Sequence, residues 1–303
     1  MHLHLIISHD SELAMLVAVI GQEAGIPPAI AALVLLAAGA HATWNALAKR
    51  SPSQEMAFFY INATVAVIGV GLELSLGLPV EAALPFVLGS AAIHVAYNLF
   101  LLGSYQRGDL SLAYPIARGL APLAVAGGAW LIAGEQLTTT QILAVAVIGA
   151  GLISLARVNG PGSRRAVAFS LATGVTIAAY SMLDGLGVRH AQGTLPYIGA
   201  LFAMEGTAIS VVIASLRHRR GERLLPKPSL AAIEAGAISF LAYAAVLYAQ
   251  RRAELALVSA LRETSVVVAM VIGHLWLREE ITPKKIAASV AITIGVAALV
   301  LLH

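Results

Sequence analysis

GEQLTTTQILAVAVIGAG, residues 134–151, returns in outline 144 residues later as REEITPKKIAASVAITIG, residues 278–295. The shift lays Glu135 on Glu279, Thr138 on Thr282, Ile142 on Ile286, Ile148 on Ile292 and Gly151 on Gly295. Carried towards the N-terminus without a gap, it also lays Arg118 on Arg262 and Gln106-Arg107 on Gln250-Arg251. Three of these matches are charged, so shared hydrophobicity does not account for them. A self-similarity of this kind marks a chain built from two equivalent halves.

The solvent of those halves is a membrane. The chain is 59% hydrophobic and 12% charged over 303 residues, with its apolar residues gathered in long runs. A window of about 19 residues gives ten candidate spans, near 28–48, 56–77, 83–104, 110–133, 138–156, 166–188, 195–216, 230–249, 255–277 and 284–302. The connections are short, with turn residues such as Gly160-Pro161-Gly162 and Pro226-Lys227-Pro228. The halves are therefore about residues 28–157 and 164–302, with five spans each. Five is odd, so the second half enters the membrane upside down relative to the first. The expected fold is all-α and integral to the membrane: ten helices in two inverted repeats around a central cavity, the plan of many secondary transporters.

Residues 1–27 stand outside this plan. Leu13, Leu16, Val17 and Ile20 have helical spacing, but the run is too short to span and no basic region precedes it. An interfacial or disordered tail is expected; a start placed too far upstream, with Met15 or a later residue as the true beginning, reads the same way. Cysteine is absent, which excludes disulfides and thiolate chemistry. Aspartate is limited to Asp10, Asp109 and Asp184, little material for a metal pair, and no metal or other cofactor is expected.

The ten-span plan resembles that of the EamA-type drug/metabolite transporters. So do the glutamate-threonine turns GEQLT at 134–138 and REEIT at 278–282, with the glycine-bearing helix after each; HATWN at 41–45, YPIARG at 114–119 and LRETS at 261–265 resemble a subgroup. The resemblance covers nearly all of the chain beyond residue 27. It implies a ten-helix bundle that transports a solute and carries no cofactor.

Polar residues inside a membrane are costly and mark function by default. His41, Trp44 and Asn45 share one face of the first span, and His94, Tyr97 and Asn98 repeat the pattern on the third. Thr173, Thr176, Tyr180 and Asp184 share a face of the sixth, and Ser239, Tyr243 and Gln250 roughly do on the eighth. Any one of these can be an interfacial anchor or interhelical glue worth about 0.6 kcal/mol. The shared stripes instead point to one wet cavity. The substrate-binding set read this way is His41, Trp44, Asn45, His94, Tyr97, Asn98, Tyr114, Arg118, Tyr180 and Tyr243. Trp130, His274 and Trp276 lie towards span ends as anchors, and Glu135 and Glu279 lie at turns as solvated or capping groups. Ala287, Ala291 and Gly295 form a small-residue packing row.

Arg118, Glu205, Arg262 and Glu263 lie nearest span centres and sum to zero charge. They form either a structural salt-bridge network or a coupling and gating set. In the second case Glu205 is a proton-coupling carboxylate or an arginine's partner, and Arg262 closes a gate with neighbouring Glu263. Arg118 stands between Pro115 and Pro122, which cannot donate to the carbonyls of Ser111 and Arg118. That helix is expected to bend and to offer a fixed charge to a substrate carboxylate or phosphate.

Two functions follow: a secondary transporter, read as an exporter of an amino acid or organic anion through the inner membrane, or an integral-membrane enzyme in the same cavity. The chain has no H-E-x-x-H, G-x-S-x-G or P-loop, which weighs against the enzyme. The expected partners are a small-molecule substrate and the bilayer, with proton coupling as an option, as monomer or homodimer and without nucleic acid.

The loops after the odd-numbered spans hold 14 of the 19 lysines and arginines. By the positive-inside rule they face the cytoplasm and both termini lie outside, whereas the resemblance implies cytoplasmic termini. A C-terminal reporter active only in the cytoplasm should therefore stay dark; a bright one reverses the orientation.

Overall fold

The computed structural model describes residues 27–133, 138–156, 163–223, 229–253 and 255–301. Residues 1–26 of the tail, and Glu135, lie outside them. Among the described residues there are eleven α-helices and no strand. They are α1 (Pro28–Arg50), α2 (Gln54–Leu76), α3 (Leu84–Tyr105), α4 (Leu110–Ala133), α5 (Thr139–Ala156), α6 (Ser163–His190), α7 (Thr194–Arg219), α8 (Leu230–Gln250), α9 (Leu255–Arg262), α10 (Ser265–Leu275) and α11 (Pro283–Leu301).

Six are long and apolar enough to cross a membrane: Pro28–Arg50, Gln54–Leu76, Glu81–Tyr105, Arg164–His190, Thr194–Arg219 and Leu230–Gln250. Leu74, Leu36 and Val67 are 85%, 74% and 73% exposed, so large apolar side chains cover the outer surface as a lipid-facing helix requires. The chain is a multi-pass membrane protein.

Local signals set the helix ends. Pro28 begins α1 with its fixed φ and dispensable N–H. The Ser53 hydroxyl caps α2 by accepting from the Met56 amide at 3.4 Å, and Gly77 at φ 79° ends it.

The expected ninth span is divided at Glu263-Thr264 into α9 and α10. There the Thr264 amide and hydroxyl both donate to the Leu261 carbonyl, at 3.3 and 2.6 Å, and the Val266 amide bonds Glu263. These are tight i to i−3 bonds of the 3₁₀ kind. The helix expected to bend, α4, is one continuous element through Pro115 and Pro122. The interruption falls on its repeat partner, which has no proline there, because a threonine side chain takes over a backbone acceptor.

The strongest helix pairings join residues before 157 to residues after 163: α2 with α7, α3 with α6, α5 with α11 and α1 with α8. Glycine makes the closest of them. A Cβ on Gly69 would lie 2.5 Å from the Ala203 nitrogen and 2.7 Å from the Gly199 carbonyl; on Gly206 it would meet the Asn62 carbonyl and the Ala66 nitrogen. In lipid, helices associate through such close packing because burial from water adds nothing between them. The α5 and α11 contact is reciprocal: Gly151 faces Ile292 and Ala288, and Gly295 faces Ile148 and Ala144. The packing row on α11 is thus Ala288, Ile292 and Gly295, while Ala287 is exposed.

Gly69→Ala and Gly206→Ala should each destabilise the protein by about 1–3 kcal/mol, since backbone atoms must move apart. Gly39→Ala, with no atom near its added Cβ, should be neutral or stabilising. Melting temperatures in one detergent check the contrast.

Candidate functional site

Six helices meet around one buried cavity. His41 and Trp44 come from α1, Ile61, Asn62 and Val65 from α2, and His94, Tyr97 and Asn98 from α3; Tyr180, Phe202, Glu205, Ser239 and Tyr243 come from α6, α7 and α8. The space is about 40 Å³, room for a water-sized group. Sites that hold a metabolite are roughly 300–1,000 Å³, so the wall must open to admit one.

The wall is largely aromatic. His94 stacks on Tyr180 with ring centres 4.0 Å apart, Tyr97 and Tyr243 meet His94 edge-on at 6.0 and 5.6 Å, and Phe202 stacks on Tyr243 at 5.9 Å. Helical spacing produces this, since residues three or four apart face the same way. Trp44 donates its indole N–H to His41 Nδ1 at 3.2 Å.

The carboxylates divide by whether they are satisfied. Asp184 is fully buried and accepts from the Tyr197 hydroxyl at 2.8 Å and from the Tyr243 hydroxyl. Glu205 is 4% exposed, and no donor among the described residues reaches its Oε2. Its nearest partner, His94 Nδ1 at 3.5 Å, is already 3.0 Å from both the hydroxyl and the carbonyl of Ser90. That approach is too long for a hydrogen bond. Glu205 is thus not an arginine's partner.

Arg118 Nη2 lies 3.0 Å from Glu263 Oε1, both side chains buried, which ties α4 to the junction of α9 and α10. The expected Arg262–Glu263 pairing is replaced by this one. Arg262 is buried with Nη2 lacking a hydrogen-bond partner, and its guanidinium carbon sits 6.0 Å from the Tyr243 ring centre. The repeat explains the imbalance. Its shift carries Arg118 to Arg262 and Glu263 back to Gly119, so the mirror of the ion pair has no acid.

Other sequence-selected residues lie apart. Asn45 accepts from the Tyr105 hydroxyl at 2.5 Å and donates to the His41 carbonyl at 2.7 Å, so its amide joins α1 to α3 away from the cavity. Tyr114 neighbours the His41 ring at 6.3 Å, outside the lining. Asn98 lines the cavity while bonded to Asn62 and the His94 carbonyl. Thr173 and Thr176 bond carbonyls of their own helix. Asn62 and Phe202 were not foreseen. Phe202 stands three residues before Glu205, a helical spacing that carried the signal.

Both ends of the bundle are tied. At one, Lys49 Nζ reaches the carbonyls of Tyr105 and Gly108 at 2.5 and 2.7 Å, and Glu279 accepts from the amides of Leu110 and Ser111 at 2.7 and 2.8 Å. Glu279 is therefore a cap on the N-terminus of α4, where helix geometry favours an anion. Lys285 adds an ion pair to Asp109 at 3.3 Å. At the other end Arg189 holds the carbonyls of Gln250 and Ala253 at 3.0 and 3.1 Å, and Gln192 bonds Val80 and Leu78.

An apolar-surfaced helical bundle around a small polar-lined chamber is the architecture of a multi-pass membrane transporter or membrane enzyme. Residues 164–301 match the EamA-like transporter family. No curated protein matches it in sequence. A crystal structure of another protein superposes with a TM-score of 0.60 at 18% identity, covering 90% of this chain and 96% of that one, a likeness of fold.

Arg118→Gln or Glu263→Gln should destabilise the protein by about 3–5 kcal/mol, because each strands a buried charge. Replacing both together by methionine should recover most of that loss. A double-mutant cycle of melting temperatures measures it; additive losses would mean that the two charges do not interact.

Proposed function

We propose that the chain is a secondary transporter that carries a small polar or amphipathic metabolite, of the amino acid or organic anion class, outward through the inner membrane by alternating access. The carrying observation is the small polar-lined chamber, walled by α1, α2 and α3 on one side and by α6, α7 and α8 on the other. The reciprocal packing of Gly151 and Gly295 supports reading those segments as inverted five-helix halves, with α9 and α10 as one broken span. Helix-pair exchange supports it too. If α1 to α5 correspond to α6 to α11, the α3 and α6 contact maps onto α8 and α1, and α2 and α8 onto α7 and α3.

In this reading the aromatic wall takes the substrate: His41, Trp44, His94, Tyr97, Asn98, Tyr180 and Tyr243. Tyr114 and Asn45 support it, and Arg118, Glu263 and Arg262 act at the gate. Glu205 beside His94 is the candidate for proton coupling. Each end closes through a cation on helix-terminal carbonyls, Lys49 on α3 and Arg189 on α8. Contacts of this kind lie at the rim, where water can replace them as the end opens.

The natural absence of cysteine permits a direct test. Ser111→Cys, at a buried position beside the Glu279 cap, should react slowly with a water-soluble maleimide. Adding Glu279→Ala should speed labelling several-fold, and purified protein in liposomes should show counterflow of an amino acid or organic acid. If labelling is unchanged and no counterflow is seen, alternating access through this chamber is overturned.

A further inference from the structure

We propose that Glu205, with the rings of Tyr180, Phe202 and Tyr243, forms a subsite for the protonated primary amine of the transported molecule. The inference rests on the transporter reading and adds the head group that the chamber selects. Its first ground is an acceptor without a donor. Glu205 is 4% exposed, lines the chamber, and has its Oε2 without a hydrogen bond among the described residues. A buried carboxylate oxygen left in this way is costly until a cationic or hydrogen-bonding group arrives. His94 cannot meet the need, because its Nδ1 is held at 3.0 Å by Ser90.

Among the charged groups nearby, Glu205 is singled out. Asp184 has both oxygens engaged by tyrosine hydroxyls, and Glu263, whose Oε2 also lacks a hydrogen bond, is ion-paired to Arg118 and lies outside the chamber lining. Arg118 is therefore compensated, which removes the strongest argument for a purely anionic substrate. Arg262 remains as a buried cation with no carboxylate within ion-pair distance among the described residues.

The second ground is the wall. Tyr180, Phe202 and Tyr243 stand in successive ring contacts beside Glu205, and aromatic faces attract a cation. The third is size. About 40 Å³ accepts an –NH₃⁺ head, whereas a trimethylammonium head is bulkier and has no N–H to donate to Oε2. The chamber in this closed form fits the head, and the rest of the substrate requires the wall to open.

The test uses two matched series on the full chain: 2-phenylethylamine, phenylalanine, 3-phenylpropanoate and trimethyl(2-phenylethyl)ammonium, then 3-methylbutylamine, leucine and 4-methylpentanoate. Binding is read from melting-temperature shifts in detergent and transport from counterflow in liposomes. The amine or amino acid should bind at least about tenfold more tightly than the matched acid, and the trimethyl compound should bind weakly. Glu205→Gln should erase that preference. Should Glu205→Gln fail to fold, the ranking on the parent protein decides. Equal binding of amine and acid, or no binding of either, overturns the subsite. Transport of the acid alone overturns it too, but leaves the transporter reading standing. Amine-selective binding without counterflow of any probe keeps the subsite and overturns the transporter reading.

Discussion

The approach of α2 to α7 is the constraint from which the site follows. In hydrocarbon there is no gain from hiding apolar side chains, so two helices hold together only where their backbones come close. Gly69, Gly199 and Gly206 supply that closeness. Gly206 follows Glu205 in sequence and lies against the Asn62 carbonyl, so the contact that fixes the helices also fixes where the carboxylate and the amide enter the chamber. A side chain at Gly206 would push α2 away and widen the wall beside Glu205.

Charge compensation is the second constraint, and the repeat satisfies it only once. A strict twofold arrangement would give each central arginine an acid one residue past its mate. The acid exists at Glu263 and not at Gly119. Arg118 is neutralised and Arg262 is not, while Glu205 brings a negative charge from another helix. The buried ionisable groups are thus arranged unequally: Arg118 and Glu263 pair outside the chamber lining, and Glu205 stands within it.

The all-helical character and six apolar spans were legible because they depend on composition. Ile148 and Gly151 matched Ile292 and Gly295 as letters, and the same residues meet across α5 and α11. Ion partners were not legible. Arg262 and Glu263 look paired because they are adjacent, yet neighbours on a helix point about 100° apart, and Glu263 faces α4 instead. The stripes on α1 and α3 located His41, Trp44, His94 and Tyr97, but Asn45 shares its stripe and spends its amide on Tyr105. The rotation of each helix about its axis decides such cases, and a single sequence does not fix it. Asp184 lies six residues from the end of α6, and the tyrosines that satisfy it in its buried position come from α7 and α8.

The end contacts show how a near-symmetric scaffold can still have unequal faces. Lys49 follows α1 onto the end of α3, and Arg189 follows α6 onto the end of α8, so each set of helices repeats one clasp. The Lys285–Asp109 pair is different. Its counterparts under the shift are Gln141 and Ala253, which cannot form an ion pair. One end therefore carries an extra electrostatic link beyond the shared clasp. That link lies at the end of the bundle that also holds Lys49, and because Asp109 is exposed it weakens as ionic strength rises.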